Sequence, residues 1–203
     1  MSAVIVALKL ADKIPAGAYD YIGVDKGTLA LITQGLPVKL AIGDFDSVTE
    51  EEMKTIQAYA KEVIALNPIK DDTDSEAALK EALKRGYDEV IFLGATGGRA
   101  DHAFINMRLA EQHPGRVILL DEQNRMQAYS EGSYRIKKEN YAYIGFFTED
   151  TAEISLENFK YPLEHRTISN KDLYNVSNEI TGDAGILHVH QGTVLVIQSK
   201  DEV

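Results

Sequence analysis

Two carboxylates one residue apart, Asp44 and Asp46 in Gly43-Asp44-Phe45-Asp46-Ser47, directly follow the apolar run Leu40-Ala41-Ile42. Two further acidic clusters, Lys70-Asp71-Asp72-Thr73-Asp74 and Gly97-Gly98-Arg99-Ala100-Asp101-His102, also follow short apolar runs and precede helix-like segments. Mg²⁺ prefers oxygen ligands and keeps several waters, so one to three carboxylates together with substrate phosphates suffice to hold it. Asp44, Asp46 and Asp74 fit that role. Unneutralised carboxylates about 4 Å apart repel by roughly 4 kcal/mol per pair at an effective dielectric near 20, so gathering several makes sense mainly around a cation. Taken singly, Asp46, Asp71 and Asp74 also read as caps of helices or turns.

Gly94-Ala95-Thr96-Gly97-Gly98-Arg99 offers backbone N–H groups that phosphate oxygens can approach, followed by a guanidinium able to bind them in two places. It has neither the Lys-Ser/Thr of a Walker A loop nor the spacing of a dinucleotide fingerprint. His102 reads either as a phosphate contact or as an ordinary surface residue of a first helical turn. His188 and His190 alternate as a metal pair on a strand would, but without a nearby third ligand they read as strand surface residues.

These residues need a frame that brings them together. Val4 to Leu8, Tyr21 to Val24, Leu40 to Ile42, Val63 to Leu66, Val90 to Leu93 and Val117 to Leu120 read as strands, interleaved with helical segments. Gly27 to Gln34 is the first such helix. Thr49 with Glu52 and Thr73 with Glu76 have the spacing of capping boxes, starting helices that run to about Lys61 and to Gly86. Asp101 is expected to cap a helix from His102 to about Gln112. Parallel strands in this order would put all three acidic clusters at one sheet edge, where open α/β sheets bind ligands. From about Asp121 the period changes to short β runs separated by turns: Met126 to Tyr129, Tyr141 to Phe147, Ala152 to Leu156, Gly185 to Val189 and Thr193 to Ile197. The expected fold is therefore α/β, a mostly parallel sheet with flanking helices over residues 1–122, followed by a smaller all-β sandwich over 123–203.

Composition narrows the function. A 203-residue chain with 44% hydrophobic residues can build a full core. A net charge of −11 argues against nucleic acid, which is bound through clustered Lys and Arg, although a nucleotide can still be held through bound cations. The absence of cysteine removes disulfides and thiolate zinc sites, and makes the cytoplasm the expected compartment. The apolar stretch Ala3 to Leu8 is too short to span a membrane and reads as a first strand.

The three acidic motifs in this order resemble the thiamine pyrophosphokinase family. The likeness rests on Ile42 to Ser47, Lys70 to Asp74, and Gly94 to His102 with Asn106, and extends through Asp121 to Asn124 and Val176 to Glu179. It implies an N-terminal α/β domain joined to a β-sandwich, in a homodimer whose active sites lie between subunits. It also implies transfer of the pyrophosphoryl group of ATP to the hydroxyl of thiamine, with Mg²⁺ held by Asp44, Asp46 and Asp74. Asp71, Asp101 and Arg99 become catalytic candidates, and Asp25, Lys70, Thr96, Arg99 and His102 candidates for ATP and phosphate contacts. Asp74, Ser177 and Asn178 become candidates for thiamine contacts. The family has Asp-Gly-Gly after the second strand, where this chain has Asp25-Lys26-Gly27. Two rival readings remain: a phosphatase using Asp44 as nucleophile, and an acidic calcium-binding module. The first is disfavoured by the internal position of the strand, the second by the distance between clusters.

Overall fold

The computed structural model describes residues 2–9, 11–69 and 71–201. The chain divides into two compact units, one formed by Met1–Asn106 with Leu119–Asp121, the other by Met107–Ile118 with Glu122–Val203. The last passage between units falls after Asp121. Residues 107–118 also group with the second unit, so it is not purely β as the change of period implies.

In the first unit the order is β1 (Ala3–Ala7), β2 (Asp20–Val24), α1 (Gly27–Thr33), β3 (Val38–Gly43), α2 (Glu50–Tyr59), β4 (Val63–Ala65), α3 (Asp74–Lys84) and β5 (Glu89–Leu93). Then follow α4 (Ala100–Gln112) and β6 (Val117–Leu120), both divided between the units. β1 pairs in parallel with β2 and β5, β2 with β3, and β3 with β4, giving the lateral order β4-β3-β2-β1-β5. Strands covered on both faces need unbroken apolar runs, and Val4, Ile5, Val6 and Ala7 of β1 are all buried. Because these strands run the same way, the residues after β2, β3, β4 and β5 emerge at one edge, as the motif spacing requires.

The helices begin where their sequences direct. Thr49 Oγ1 accepts from the Glu52 N–H at 3.3 Å while Glu52 Oε2 accepts from the Thr49 N–H at 2.8 Å, completing the expected capping box of α2. Thr49→Ala is expected to lower stability by about 1 kcal/mol, read as a shift in denaturant midpoint at unchanged slope. Thr73 likewise accepts from the Glu76 N–H at 3.2 Å, whereas the Glu76 carboxylate pairs with Lys80 at 2.9 Å one turn on. Ala78, Leu79 and Ala82 form the buried stripe of α3. The start of α4 differs from expectation: the helix begins at Ala100, so Asp101 lies in its first turn and does not cap it.

The second unit contains β7 (Asn124–Tyr129), β8 (Gly132–Lys137), β9 (Tyr143–Phe147), β10 (Thr151–Glu157), β11 (Leu163–Ser169), β12 (Ala184–Gln191) and β13 (Val194–Ser199). Two antiparallel groups, β7-β13-β9 and β11-β10-β12-β8, form its sheets. Ile144, Phe146, Val194 and Val196 from one meet Ile136, Ile154, Leu156, Ile168, Leu187 and Val189 from the other in a single core, the arrangement of a sandwich. β8 and β11 escape the reading of apolar runs. Each presents one fully buried residue, Ile136 or Ile168, among exposed polar ones.

Candidate active site

Asp25, Asp44 and Asp74 come together at the carboxyl edge of the parallel sheet, each offering a carboxylate oxygen within 4.8 Å of the others. Asp25 follows β2, Asp44 follows β3, and Asp74 is the first residue of α3. The β2–β3 pairing carries past the strand ends, since the Asp25 N–H donates to the Ile42 carbonyl at 3.1 Å. Asp25 Oδ1 also accepts from the Phe45 N–H at 3.1 Å, which ties the two loops together.

Gly43 makes this approach possible. A Cβ there would lie 1.9 Å from Asp25 Oδ1, and the residue has φ +155°. Phe45 then takes a left-handed φ of 55°, ending the strand-like alternation that the Asp44–Asp46 spacing suggests. Asp46 consequently turns to solvent, and its N–H donates to Asp44 Oδ1 at 3.1 Å. The three-carboxylate group thus contains Asp25 in place of the expected Asp46. Desolvation pushes the Asp25 carboxyl up to about 6; the Phe45 N–H opposes that rise, and the charges of Asp74, Asp44 and Asp46 add to it. A half-buried group of like charges with converging oxygens suits a hard divalent cation, so the residues fit Mg²⁺.

The third motif forms the loop after β5. Gly97 and Gly98 both have positive φ, 92° and 68°, and expose the backbone before Arg99. The loop is braced from within: Asn106, buried on α4, donates through Nδ2 to the Ala95 carbonyl at 2.8 Å. Thr96 Oγ1 donates to a carboxylate oxygen of Asp121, the residue after β6, so Asp121 is a loop anchor that no local motif announces. Arg99 and Asp101 are exposed and bonded to each other, Nε to Oδ1 at 3.1 Å and Nη2 to Oδ2 at 2.5 Å. The guanidinium holds the Asp101 carboxyl down at about 2, with the His102 N–H adding to the effect at 3.0 Å. Asp71 and the His102 side chain are exposed, and Lys70 lies outside the described residues.

Lys26 occupies the first position of the turn into α1, and its ammonium lies 3.9 Å from Glu52 of the α2 capping box. The neighbouring Gly27 admits no side chain, because a Cβ would stand 2.1 Å from the Ala7 carbonyl oxygen. In the second unit, Asn178 is buried and its amide is spent on backbone. Its Oδ1 accepts from the Tyr161 and Glu179 N–H groups at 3.0 and 2.9 Å, and its Nδ2 donates to the Tyr161 carbonyl at 2.9 Å. Ser177 beside it has a left-handed φ of 57°.

Residues 15–119 match the family model described as "Thiamin pyrophosphokinase, catalytic domain", and residues 133–194 the one described as "Thiamin pyrophosphokinase, vitamin B1 binding domain". The chain belongs to the thiamin pyrophosphokinase family. It is 38% identical over 187 residues to the thiamine pyrophosphokinase of Bacillus subtilis (strain 168), covering 89% of this chain and 87% of that protein. Its fold is similar to the crystal structure of a thiamin pyrophosphokinase family protein from Enterococcus faecalis, with TM-score 0.90, 34% identity and both chains covered completely. The same holds for the crystal structure of the Bacillus subtilis thiamine pyrophosphokinase, at TM-score 0.89 and 36% identity, again over the whole of both chains. The catalytic-domain match contains every acidic residue of the group described above, and the vitamin B1 domain match contains Ser177 and Asn178.

Proposed function

We propose that this chain transfers the pyrophosphoryl group of ATP to the hydroxyl of thiamine, giving thiamine pyrophosphate and AMP. The observation that carries the reading is the convergence of Asp25, Asp44 and Asp74 at the sheet edge of a chain matched over both domains of the family. Asp25, Asp44 and Asp74 would hold Mg²⁺, which when bound neutralises phosphate oxygens of ATP. Asp46, next to Asp44 and exposed, is available to the solvent side of that cation or to its waters. Arg99 and the backbone of Gly97 and Gly98 receive the phosphates, with Lys70 and His102 as further contacts and Thr96 holding the loop through Asp121. Asp74, Ser177 and Asn178 belong to the thiamine side, where Asn178 holds the chain that presents Ser177.

The chemistry asks for an in-line hydroxyl, screened phosphate oxygens and a stabilised AMP leaving group, which is mainly positioning and electrostatics. Asp71 or Asp101 accepts the hydroxyl proton. While paired with Arg99, Asp101 is a weak base; when Arg99 turns to phosphate, that restraint is released. Arg99→Lys keeps the charge but loses one of two parallel bonds. About 1.5 kcal/mol, or roughly tenfold in kcat/KM for ATP, is the expected loss.

We assign the site to a homodimer interface, a reading supported by exposed Phe104 and Ile105 on α4 and by Leu173, Tyr174 and Val176 in the second unit. No helix among the described residues is long and apolar enough to cross a membrane. The cysteine-free composition supports a cytoplasmic enzyme. The deciding experiment incubates the chain with ATP, Mg²⁺ and thiamine and follows AMP by chromatography. AMP should appear only with thiamine present; inorganic phosphate released from phosphate esters, with phosphate trapped on Asp44, would establish the phosphatase reading instead.

A further inference from the structure

The outer face of the β11-β10-β12-β8 sheet carries three histidines that the reaction above does not use. His188 and His190 lie two residues apart on β12, and alternation along a strand turns both to one face. The third imidazole comes from a distant part of the sequence. β10 is irregular on both sides: its register with β11 shifts between Ile154 and Leu156, and its register with β12 between Glu153 and Ile154. Ile154 pairs with Arg166 and Leu156 with Leu163, so Glu164 and His165 both stand against Ser155 alone. Such a bulge re-aims a side chain. His165 takes a left-handed φ of 45°, and its N–H donates to Ser155 Oγ at 2.9 Å. A non-glycine residue in that region persists only where its surroundings hold it there. The outcome is a row of rings, His165 and His190 with centroids 4.1 Å apart and His188 at 6.2 Å from His190.

Oxygens hold each ring from the side. His165 Nδ1 lies 2.6 Å from Glu153 Oε1, and His190 Nε2 lies 2.7 Å from Ser155 Oγ. His188 is held at Nδ1 by Ser133 Oγ at 2.8 Å and at Nε2 by Glu157 Oε1 at 3.0 Å. Histidines that bind metals have such support at one nitrogen, as His165 has from Glu153, His190 from Ser155 and His188 from Ser133, while the second His188 bond, to Glu157, is the one an ion would replace. Glu157 and Glu164 line the same groove, which makes it a place for a cation and not an anion.

We propose that His165, His188 and His190, with Glu157 as carboxylate ligand, bind a divalent transition metal of the Zn²⁺ class. Imidazole nitrogens with one carboxylate suit Zn²⁺, Ni²⁺, Cu²⁺ or Co²⁺ and suit Mg²⁺ poorly, so the donor set differs in kind from Asp25, Asp44 and Asp74. Binding converts the stacked arrangement into a convergent one. The His165 and His190 rings splay about their side-chain torsions so that His165 Nε2 and His190 Nδ1 face the ion, while His188 Nε2 and Glu157 exchange their mutual bond for it. Ring motions of this size are fast for exposed side chains.

The test titrates the metal-stripped full chain with Co²⁺ in the presence of excess Mg²⁺, using Co²⁺ as a coloured stand-in for Zn²⁺. One equivalent should give the visible absorption of four-coordinate Co²⁺, and Zn²⁺ should displace it. His165→Gln and His190→Gln should each weaken binding at least about tenfold, and Asp44→Asn should leave it unchanged. The proposal is overturned if the unaltered chain gives no such absorption, if the histidine variants retain it at full affinity, or if Asp44→Asn removes it.

Discussion

Asp25→Asn is expected to lower thiamine-dependent AMP formation by roughly a thousandfold while making the metal-free protein more stable. The two effects have one cause. Asparagine keeps an oxygen to accept from the Phe45 N–H, so the loop connection at 3.1 Å survives. It removes one of three carboxylates whose oxygens lie within 4.8 Å, and with it a ligand of the cation that we propose screens the phosphates. Loss of a preorganised electrostatic contact of this kind costs about 10²–10³ in kcat, and the metal adds several kcal/mol of charge stabilisation.

The stability change follows from the raised Asp25 pKa. With a folded value of about 6 against an unfolded value of 3.8, the native state binds the proton more tightly. Its stabilising contribution is fully present below the unfolded value and is lost as pH rises through about 6. In metal-free buffer, unfolding stability should therefore fall between these two values. Asp25→Asn should remove that fall and gain on the order of 1 kcal/mol above it, after allowance for solvent screening at a half-exposed group. Mg²⁺ should restore stability to the unaltered protein at high pH and have a much smaller effect on the variant. Denaturant midpoints at several pH values, with and without Mg²⁺, measure all of this. A variant with near-normal turnover would remove Asp25 from the cation site.

How much of the site is legible in the sequence depends on whether its neighbours are local. Asp44 and Asp74 are legible because each follows an apolar run and precedes a helix with its own cap, and parallel strands then bring them to one edge. Asp25 stands in no acidic cluster. It becomes a partner of Asp44 through the β2–β3 pairing, which joins residues about twenty positions apart. Asp46 stands apart from the three-carboxylate group for a local reason: an i, i+2 pair shares a face only in a continuing strand, and the left-handed backbone at Phe45 ends it. β8 and β11 are hidden because each commits one fully buried side chain to the core, too few to make a period. His165 is the same problem at a longer range. Its position beside His190 depends on shifts of register along β10 that no turn signal marks.

Gly43→Ala tests whether the close approach of the two loops matters independently of charge. The new methyl would meet Asp25 Oδ1 at 1.9 Å and Cγ at 2.7 Å, and the backbone nitrogen of the same residue at 3.2 Å. A side-chain rotation alone does not clear it, because Asp25 is also held through its N–H by the Ile42 carbonyl. The Gly43 carbonyl in turn accepts from the Leu66 N–H at 2.8 Å, so the strand end resists moving away on the other side. Overpacking of this type costs about 1–3 kcal/mol, and a displacement near 1 Å of a positioned ligand can cost about a hundredfold in rate. The expected variant is folded, less stable, weaker in Mg²⁺ binding and about a hundredfold slower. If the loss acts through Asp25, then adding Asp25→Asn to Gly43→Ala should cost far less than Asp25→Asn costs alone, since both changes disable one carboxylate. Fully additive losses would instead assign Gly43 a role at the strand end that does not pass through Asp25.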